Sequence, residues 1–305
     1  MPSMIAPRKG RGAASNESGR FEVEKRIVLD DGWGSADAEP LPLTTTLSID
    51  STRTIIARNE SPDIGFDRSI NPYRGCEHGC IYCYARPSHV YLGLSPGLDF
   101  ESRLFYKPQA AFLLAAELRK KGYACRPIAL GSNTDPYQPV ERKLGITRSI
   151  LEVLRDFRHP VTIVSKSALI QRDLDILSEM AKQRLAIVTI SVTTLDRTLA
   201  RVMEPRAATP ERRLETIAAL TEAGIPTGVL SAPMIPALND AEMEHILERA
   251  RAAGATSAGY TLLRLPFELK ALFREWLERH FPDKAVHVLS LVAQAHGGRL
   301  YDSAW

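Results

Sequence analysis

Three cysteines stand close together in this sequence, and their spacing could bind a metal. Three residues separate Cys76 from Cys80, and two separate Cys80 from Cys83. Thiolates so spaced converge on one soft metal centre only if the chain forms a tight loop, and Gly75 and Gly79 give the backbone that freedom. A closed iron–sulfur site generally takes four cysteines, so three leave one iron open to an outside ligand. The motif therefore predicts a catalytic metal loop with Cys76, Cys80 and Cys83 as its ligands.

Two other interpretations of the same cysteines stay open. With His78 as a fourth ligand, the three thiols could hold zinc in a Cys3His site. With Cys125, they could complete a closed electron-transfer cluster. Buried free cysteine is common, so Cys125 is expected to be a small core residue instead. No disulfide is expected, because no secretory segment accompanies the four cysteines.

The cysteine loop, with Tyr82 just before its last cysteine, resembles the cluster loop of the radical SAM enzymes. In that superfamily a [4Fe-4S] cluster binds S-adenosylmethionine (SAM) and cleaves it to a 5′-deoxyadenosyl radical, which abstracts hydrogen from the substrate. The flanking segments, Asn71 to Tyr73 and Tyr84 to Arg86, are more narrowly similar to the spore photoproduct lyase-like branch. The resemblance implies both cofactors, an electron donor such as flavodoxin or ferredoxin, and a nucleic-acid base as a candidate substrate.

A regular alternation of strand-like and helix-like segments begins at about residue 67. Such alternation is typical of repeated β-α units and a parallel sheet. Strands are predicted just before Cys76 and over residues 127–131, 161–165, 186–192, 226–231 and 257–262. Helices are predicted over residues 109–121, 147–157, 172–183, 210–223, 241–253, 269–280 and 285–296. Six strands are too few for a closed eight-stranded barrel, so an α/β fold with an incomplete parallel (β/α)6 barrel is expected. The radical SAM resemblance implies the same fold.

Four regions are predicted along the 305 residues. They are a disordered basic tail (1–20), an N-terminal extension (21–66), the barrel (67–265) and a C-terminal helical extension (266–305). The net charge of +3 gives no electrostatic argument for a nucleic-acid partner by itself. The apolar stretches are too short to cross a bilayer, so no membrane partner is expected and a cytoplasmic location is predicted.

Catalytic groups of parallel barrels lie at the carboxyl ends of the strands, so the residues there are candidates. Lys166 could meet the SAM carboxylate as a compact point charge. Arg206 could hold that carboxylate or the substrate, although an ion pair with Glu204 is an equal alternative. The spore photoproduct lyase-like resemblance also places SAM contacts at these strand ends. The predicted cofactor-binding residues are Ser132, Ser165, Lys166, Ser191 and Arg206.

One position departs from the lyase pattern. Spore photoproduct lyases split a thymine dimer and return a hydrogen atom from a cysteine at the end of strand two, where this chain has Ser132. A serine O–H bond is too strong for that role, and Cys125 lies near the wrong end of the strand. Tyr137 and Tyr260 are candidate substitutes. Radical modification of a peptide or small metabolite therefore stays open beside base repair, as does a non-catalytic cluster or zinc protein.

Overall fold

The computed structural model describes residues 9–22, 43–60 and 65–301. Two sheets lie in these residues. The strands are, in chain order, β1 (Thr46–Ile49), β2 (Ala57–Arg58), β3 (Arg68–Ile70), β4 (Tyr73–Arg74), β5 (Arg103–Tyr106), β6 (Ile128–Leu130), β7 (Val161–Ser165), β8 (Ala186–Ser191), β9 (Thr227–Met234) and β10 (Ser257–Leu262). The larger sheet has the order β10-β9-β8-β7-β6-β3-β2, and the smaller has the order β1-β5-β4.

The larger sheet is parallel from β3 to β10, and only the short edge strand β2 runs antiparallel to its neighbour. These six parallel strands confirm the predicted α/β fold with an incomplete parallel barrel. The position predicted for the first strand, just before Cys76, is wrong, because β4 there belongs to the smaller sheet and the first parallel strand is β3. The smaller sheet pairs β1 with β5 in parallel and β4 with β5 antiparallel. Because β4 leads directly into Gly75, this sheet holds the start of the cysteine loop.

Helices cover the parallel strands and extend beyond them. They are α1 (Leu98–Ser102), α2 (Ala110–Leu118), α3 (Glu141–Leu144), α4 (Ile146–Asp156), α5 (Leu174–Lys182), α6 (Arg197–Met203), α7 (Pro210–Glu222), α8 (Met243–Ala252), α9 (Leu269–His280) and α10 (Ala285–Ala295). Three 3-10 helices span Arg86–Leu92, Ala168–Asp173 and Asp240–Glu242. Every predicted helix is present within three residues of its predicted bounds. The short helices α1, α3 and α6 are not among the predicted ones.

The core lies between the parallel strands and their helices. β6 is buried along its whole length, and Ile163 and Ile190 are each 1% exposed. Helices α4 and α5 contribute Leu154 and Leu177, both fully buried. Each such side chain contributes about 1.5–3 kcal/mol by leaving water. A strand covered on both faces requires continuous apolar sequence, as in β6, whereas β7 alternates between buried and partly buried residues.

A second apolar cluster joins the C-terminal helices to the cysteine loop. Phe273 and Trp276 of α9 belong to the same buried cluster as Ile81 and Tyr82. The Trp276 indole also donates a hydrogen bond to the carbonyl of Val202 in α6, at 3.1 Å. The C-terminal region therefore packs on the metal loop. The domain boundaries at residues 66/67 and 265/266 stay predictions.

Two expectations about exposure are corrected. Residues 1–8, 23–42, 61–64 and 302–305 lie outside the described residues, but residues 9–20 do not form a disordered tail. Ala13 and Ala14 are 2% and 5% exposed, because their segment packs against buried Glu101 and the cysteine loop. Cys125 is exposed and is not a core residue, because residues 124–127 lie on the surface before β6 begins. Within the described ranges, no helix is long and apolar enough to span a membrane.

Candidate metal centre

Two glycines let the chain turn around the three cysteines. Gly75 and Gly79 have φ angles of 77° and 68°, in the left-handed region that side chains rarely adopt. A Cβ atom on Gly79 would lie 2.8 Å from a carboxylate oxygen of Glu101, and one on Gly75 would lie 2.6 Å from the side chain of Leu104. At both positions, the backbone conformation and the close neighbours therefore exclude any residue with a side chain.

The three cysteine side chains share one buried environment. Cys76 and Cys80 are 7% and 8% exposed, and Cys83 is half-buried. Burial raises the pKa of each thiol above its ordinary value, and the neighbouring thiols of Cys80 and Cys83 raise that of Cys76 further. Coordination deprotonates a thiol outright, so a metal can take the place of the proton. The donor set, three thiols coupled to one another on one loop, fits an iron–sulfur cluster with one open iron.

In the part of the chain that the structure describes, no three Cys, His, Asp or Glu side chains converge as a set that could hold a metal ion.

Residues after three successive parallel strands surround the loop. Asp135, which follows β6, accepts hydrogen bonds from the Ser165 hydroxyl at 2.8 Å and the Lys166 backbone N–H at 2.7 Å. Asp135 also accepts from the Tyr137 N–H at 2.9 Å and lies beside His78 of the loop, with 3.4 Å between Nδ1 and the carboxylate. In the connection after β8, the Met203 carbonyl accepts a hydrogen bond from the Ile81 N–H at 3.0 Å. The cysteine loop therefore lies at the carboxyl edge of the sheet.

His78 is a poor candidate for a positively charged group or a proton carrier at the site. It is 2% exposed, and burial lowers its pKa to about 4 although Asp135 acts in the opposite direction. The imidazole is therefore neutral at physiological pH. Gln138 fixes the loop beside it, since its amide accepts from the Glu77 N–H at 2.9 Å and donates to the Gly75 carbonyl at 3.1 Å.

Comparison with known proteins identifies the family. The model of the radical SAM superfamily matches residues 70–250, which include the cysteine loop and the strands β4 to β9. The chain belongs to the radical SAM superfamily. The family implies SAM and an iron–sulfur cluster as cofactors, and it makes this protein an enzyme.

Several relatives share much of this radical SAM chain. A functionally uncharacterised protein of Mycobacterium tuberculosis strain H37Rv is 36% identical over 232 residues, covering 74% of this chain and 68% of the relative. One from Methanocaldococcus jannaschii is 26% identical, covering 70% of this chain and 76% of the relative. Among solved structures, spore photoproduct lyase with a dinucleoside spore photoproduct has a TM-score of 0.56 at 14% identity. That match covers 77% of this chain and 66% of the lyase, just under two thirds, and shows the likeness of the fold.

Three of the predicted cofactor-binding residues of this radical SAM protein lie beside the loop. Lys166 is half-buried, with its ammonium 5.8 Å from the centre of the Tyr82 ring. Ser165 is 1% exposed, and its hydroxyl donates a hydrogen bond to the Asp135 carboxylate. Ser132 exchanges hydrogen bonds with the Asn71 amide, at 3.1 and 3.3 Å. Lys166 is therefore a candidate cation for cofactor binding. Ser165 and Ser132 chiefly stabilise the edge of the sheet.

Of the other two predicted residues, Arg206 also contacts the cysteine loop, and Ser191 is held by the neighbouring strand β9. The Ser191 hydroxyl is buried and donates to the Ala232 carbonyl at 3.3 Å. Arg206 pairs with Glu77 of the cysteine loop at 3.1 Å and remains partly exposed. The alternative pairing of Arg206 with Glu204 is wrong. As a contact to SAM, each of the five residues stays a prediction.

A buried charge network under the loop was missed by the sequence analysis. Glu204 is fully enclosed, pairs with Arg213, and accepts hydrogen bonds from Tyr82 and, at 2.9 Å, from Thr193. Burial raises the pKa of Glu204, while Arg213 acts to lower it. No local signal marks these residues, because their partners are brought together only by the fold.

Tyr84 was also missed, although its position in the motif could have indicated it. It follows Cys83 directly, is 58% exposed, and donates its hydroxyl proton to the Ser132 carbonyl. It therefore stands between the cysteine loop and the end of β6. Tyr137, by contrast, is fully buried, and Tyr260 lies on the edge strand β10.

Proposed function

We propose that this chain binds a [4Fe-4S] cluster through Cys76, Cys80 and Cys83 and uses it to act on a nucleic-acid base. When bound, the cluster supplies one electron that cleaves SAM to methionine and a 5′-deoxyadenosyl radical. The observation that carries the proposal is the position of the three-cysteine loop at the carboxyl edge of an open parallel sheet. Parallel barrels hold their catalytic groups at that edge, and the open side leaves room for a large substrate.

Lys166 is proposed to hold the carboxylate of SAM. It is a half-buried cation beside the loop, whereas another cation there, Arg206, pairs with Glu77. The low dielectric of the site strengthens the attraction of Lys166 for an anion. Ser132, Ser165, Ser191 and Arg206 are proposed as further SAM contacts. The electron donor is proposed to be a flavodoxin or a ferredoxin. A reducing compartment, the cytoplasm, suits thiols that must stay free for iron.

Lys166→Met is expected to weaken SAM binding by about tenfold or more, because a contact to a charged group is worth about 1.5–3 kcal/mol. The measurement is the SAM dissociation constant of the anaerobically reconstituted protein by calorimetry. Lys182→Met is the matched control, since Lys182 is exposed at the end of α5. Equal dissociation constants for Lys166→Met and the wild type would remove Lys166 from the cofactor site.

The test of the proposed function is electron paramagnetic resonance of the reconstituted and reduced protein. Adding SAM is expected to change the cluster signal, because SAM would bind the open iron. An unchanged signal would indicate a fully ligated electron-transfer cluster. The absence of any iron after reconstitution would favour zinc. Duplex binding that weakens steeply with salt would support a nucleic-acid substrate, and its absence would favour a peptide or metabolite.

Tyr84 is proposed to return the hydrogen atom in place of the missing cysteine. Its O–H bond would break as the product C–H bond forms, and the proposed flavodoxin or ferredoxin would reduce the phenoxyl radical left on Tyr84, which takes up a proton from solvent. The Tyr84 hydroxyl donates a hydrogen bond to the backbone carbonyl of Ser132. Ser132 stands where the resemblance places the hydrogen-donating cysteine of the lyase. The phenolic proton exchanges with solvent, so a reaction run in D2O would carry deuterium into the product.

Tyr84→Phe is expected to keep SAM cleavage but to lose this solvent-derived deuterium, because phenylalanine keeps the ring and removes the O–H group. Dinucleoside spore photoproduct is the probe substrate, and mass spectrometry of the product is the measurement. Tyr260→Phe is the control, since Tyr260 lies on the edge strand β10. Undiminished deuterium in the Tyr84→Phe product would exclude Tyr84 as the donor.

A further inference from the structure

The segment of residues 11–16, which we term the N-terminal strap, lies directly on the cysteine loop. Gly12 touches the loop backbone, since a Cβ atom there would lie 1.8 Å from the Gly79 carbonyl oxygen. Ala13 is 2% exposed and belongs to the same buried apolar cluster as Cys80 and Ile81. One side of the cysteine loop is therefore covered by the strap and not by the barrel.

A single buried carboxylate joins the strap to the loop. Glu101 of α1 is fully buried and accepts hydrogen bonds from the backbone N–H groups of Gly12 at 2.9 Å and Ala13 at 2.8 Å. It also pairs with Arg86 at 2.5 Å. Arg86 in turn donates to the carbonyls of Cys80 and Gly79, at 2.9 and 3.1 Å. A displacement of the strap would therefore leave Glu101 short of donors and loosen its hold on Arg86.

Contacts on both sides hold the strap down. The Ser15 hydroxyl donates to Glu275 of α9 at 2.7 Å, and the Ser15 carbonyl accepts from the Leu98 N–H of α1 at 3.2 Å. At the other end, Arg11 donates to the Thr45 hydroxyl at 3.2 Å, and Thr45 donates to Glu77 of the cysteine loop at 2.7 Å. The strap therefore connects α1, α9 and the cysteine loop.

We propose that the N-terminal strap is a wall of the cluster site and that Glu101 is the positioning residue that couples it to the cysteine loop. A closed strap limits the access of chelators and oxygen to the cluster, because a packed segment admits them only when it opens locally. The inference rests on the proposed function, since it requires a cluster on the three cysteines. The effect we propose for the strap and for Glu101 is on retention of the iron.

Gly12→Ala tests the strap. The added methyl group meets the Gly79 carbonyl and favours the open strap without changing any residue of the loop. Transfer of iron from the reconstituted protein to a ferrous chelator is expected to become about tenfold faster, the change that follows if the closed strap loses about 1.4 kcal/mol. Gly65→Ala is the matched control, because a Cβ atom there meets nothing within 4 Å.

Glu101→Gln tests the coupling. It keeps the size of the side chain and removes the charge that Arg86 and the strap share. The variant is expected to release iron faster than the wild type. Adding Gly12→Ala to it is expected to give little further increase, because both changes break the same link. Fully multiplicative effects in the double variant would overturn the role of Glu101.

The outcomes separate the two claims. A wild-type protein that takes up no iron on reconstitution would overturn the proposed function and this inference with it. Normal iron uptake with equal release rates in wild type, Gly12→Ala and Arg11→Ala would overturn the strap alone. Arg11→Ala removes contacts without adding a clash, so it gives the answer if Gly12→Ala does not fold. Faster release in Arg11→Ala, with Gly65→Ala unchanged, would support the strap.

Discussion

Replacing Cys76, Cys80 or Cys83 singly with alanine is expected to lower cluster retention by more than about 100-fold. Loss of an outer-shell partner alone costs about 10–100-fold in metal affinity, and a direct ligand contributes more. SAM cleavage to 5′-deoxyadenosine is expected to fall with the cluster. The measurements are iron and sulfide per chain after anaerobic reconstitution and the amount of 5′-deoxyadenosine formed under reduction.

Cys125→Ala is the matched control, because the chain has four cysteines and this one is exposed on the surface before β6. It is expected to keep both the cluster and SAM cleavage. Loss of the cluster in Cys125→Ala would instead support a closed electron-transfer cluster with four thiolate ligands. Full cluster content in any of the three loop variants would remove that cysteine from the ligand set.

The parallel core could be predicted from the sequence because its signal is local. Strands β7 and β10 and helix α9 have the predicted bounds, since each is an apolar run or a helical repeat between clear breaks. The short helices α1 and α6 were missed because five to seven residues give no periodicity. An N-cap signal was present for α6, where the Asp196 side chain accepts from the Thr198 N–H at 2.7 Å.

The candidate site was predictable only in part. The cysteine spacing and the two loop glycines are a local pattern, so the sequence indicates the loop. Its supporting residues are distant in sequence: Glu101 reaches Arg86 across 15 residues and the Gly12 N–H across 89. The burial of a glutamate in a short helix cannot be predicted from the local sequence until its ion-pair partner is known. The strap was mistaken for a disordered tail for the same reason, because its small residues pack only against a site formed elsewhere.

Arg86→Met is expected to lower the free energy of unfolding of the metal-free protein by about 3–5 kcal/mol, because it leaves the Glu101 carboxylate buried without its cation. Both side chains are fully buried, and Arg86 also donates to the carbonyls of Pro96 and Gly97, at 3.1 and 3.0 Å. Methionine replaces the aliphatic part of the side chain, so the loss is mainly polar. Chemical denaturation followed by circular dichroism measures it.

Arg103→Met is the control in the same region, because Arg103 is exposed and lies 3.9 Å from Asp99. The Asp99 carboxylate is buried, but an ion pair at that distance whose cation is exposed is worth at most about 1 kcal/mol. If Arg86→Met costs no more than Arg103→Met, the pair does not anchor the loop. Adding Glu101→Leu to Arg86→Met removes the stranded charge, but it also leaves the N–H groups of Gly12 and Ala13 without their acceptor. The double variant is therefore expected to recover only part of the loss, and full recovery would mean that the strap contributes nothing to the stability of the loop.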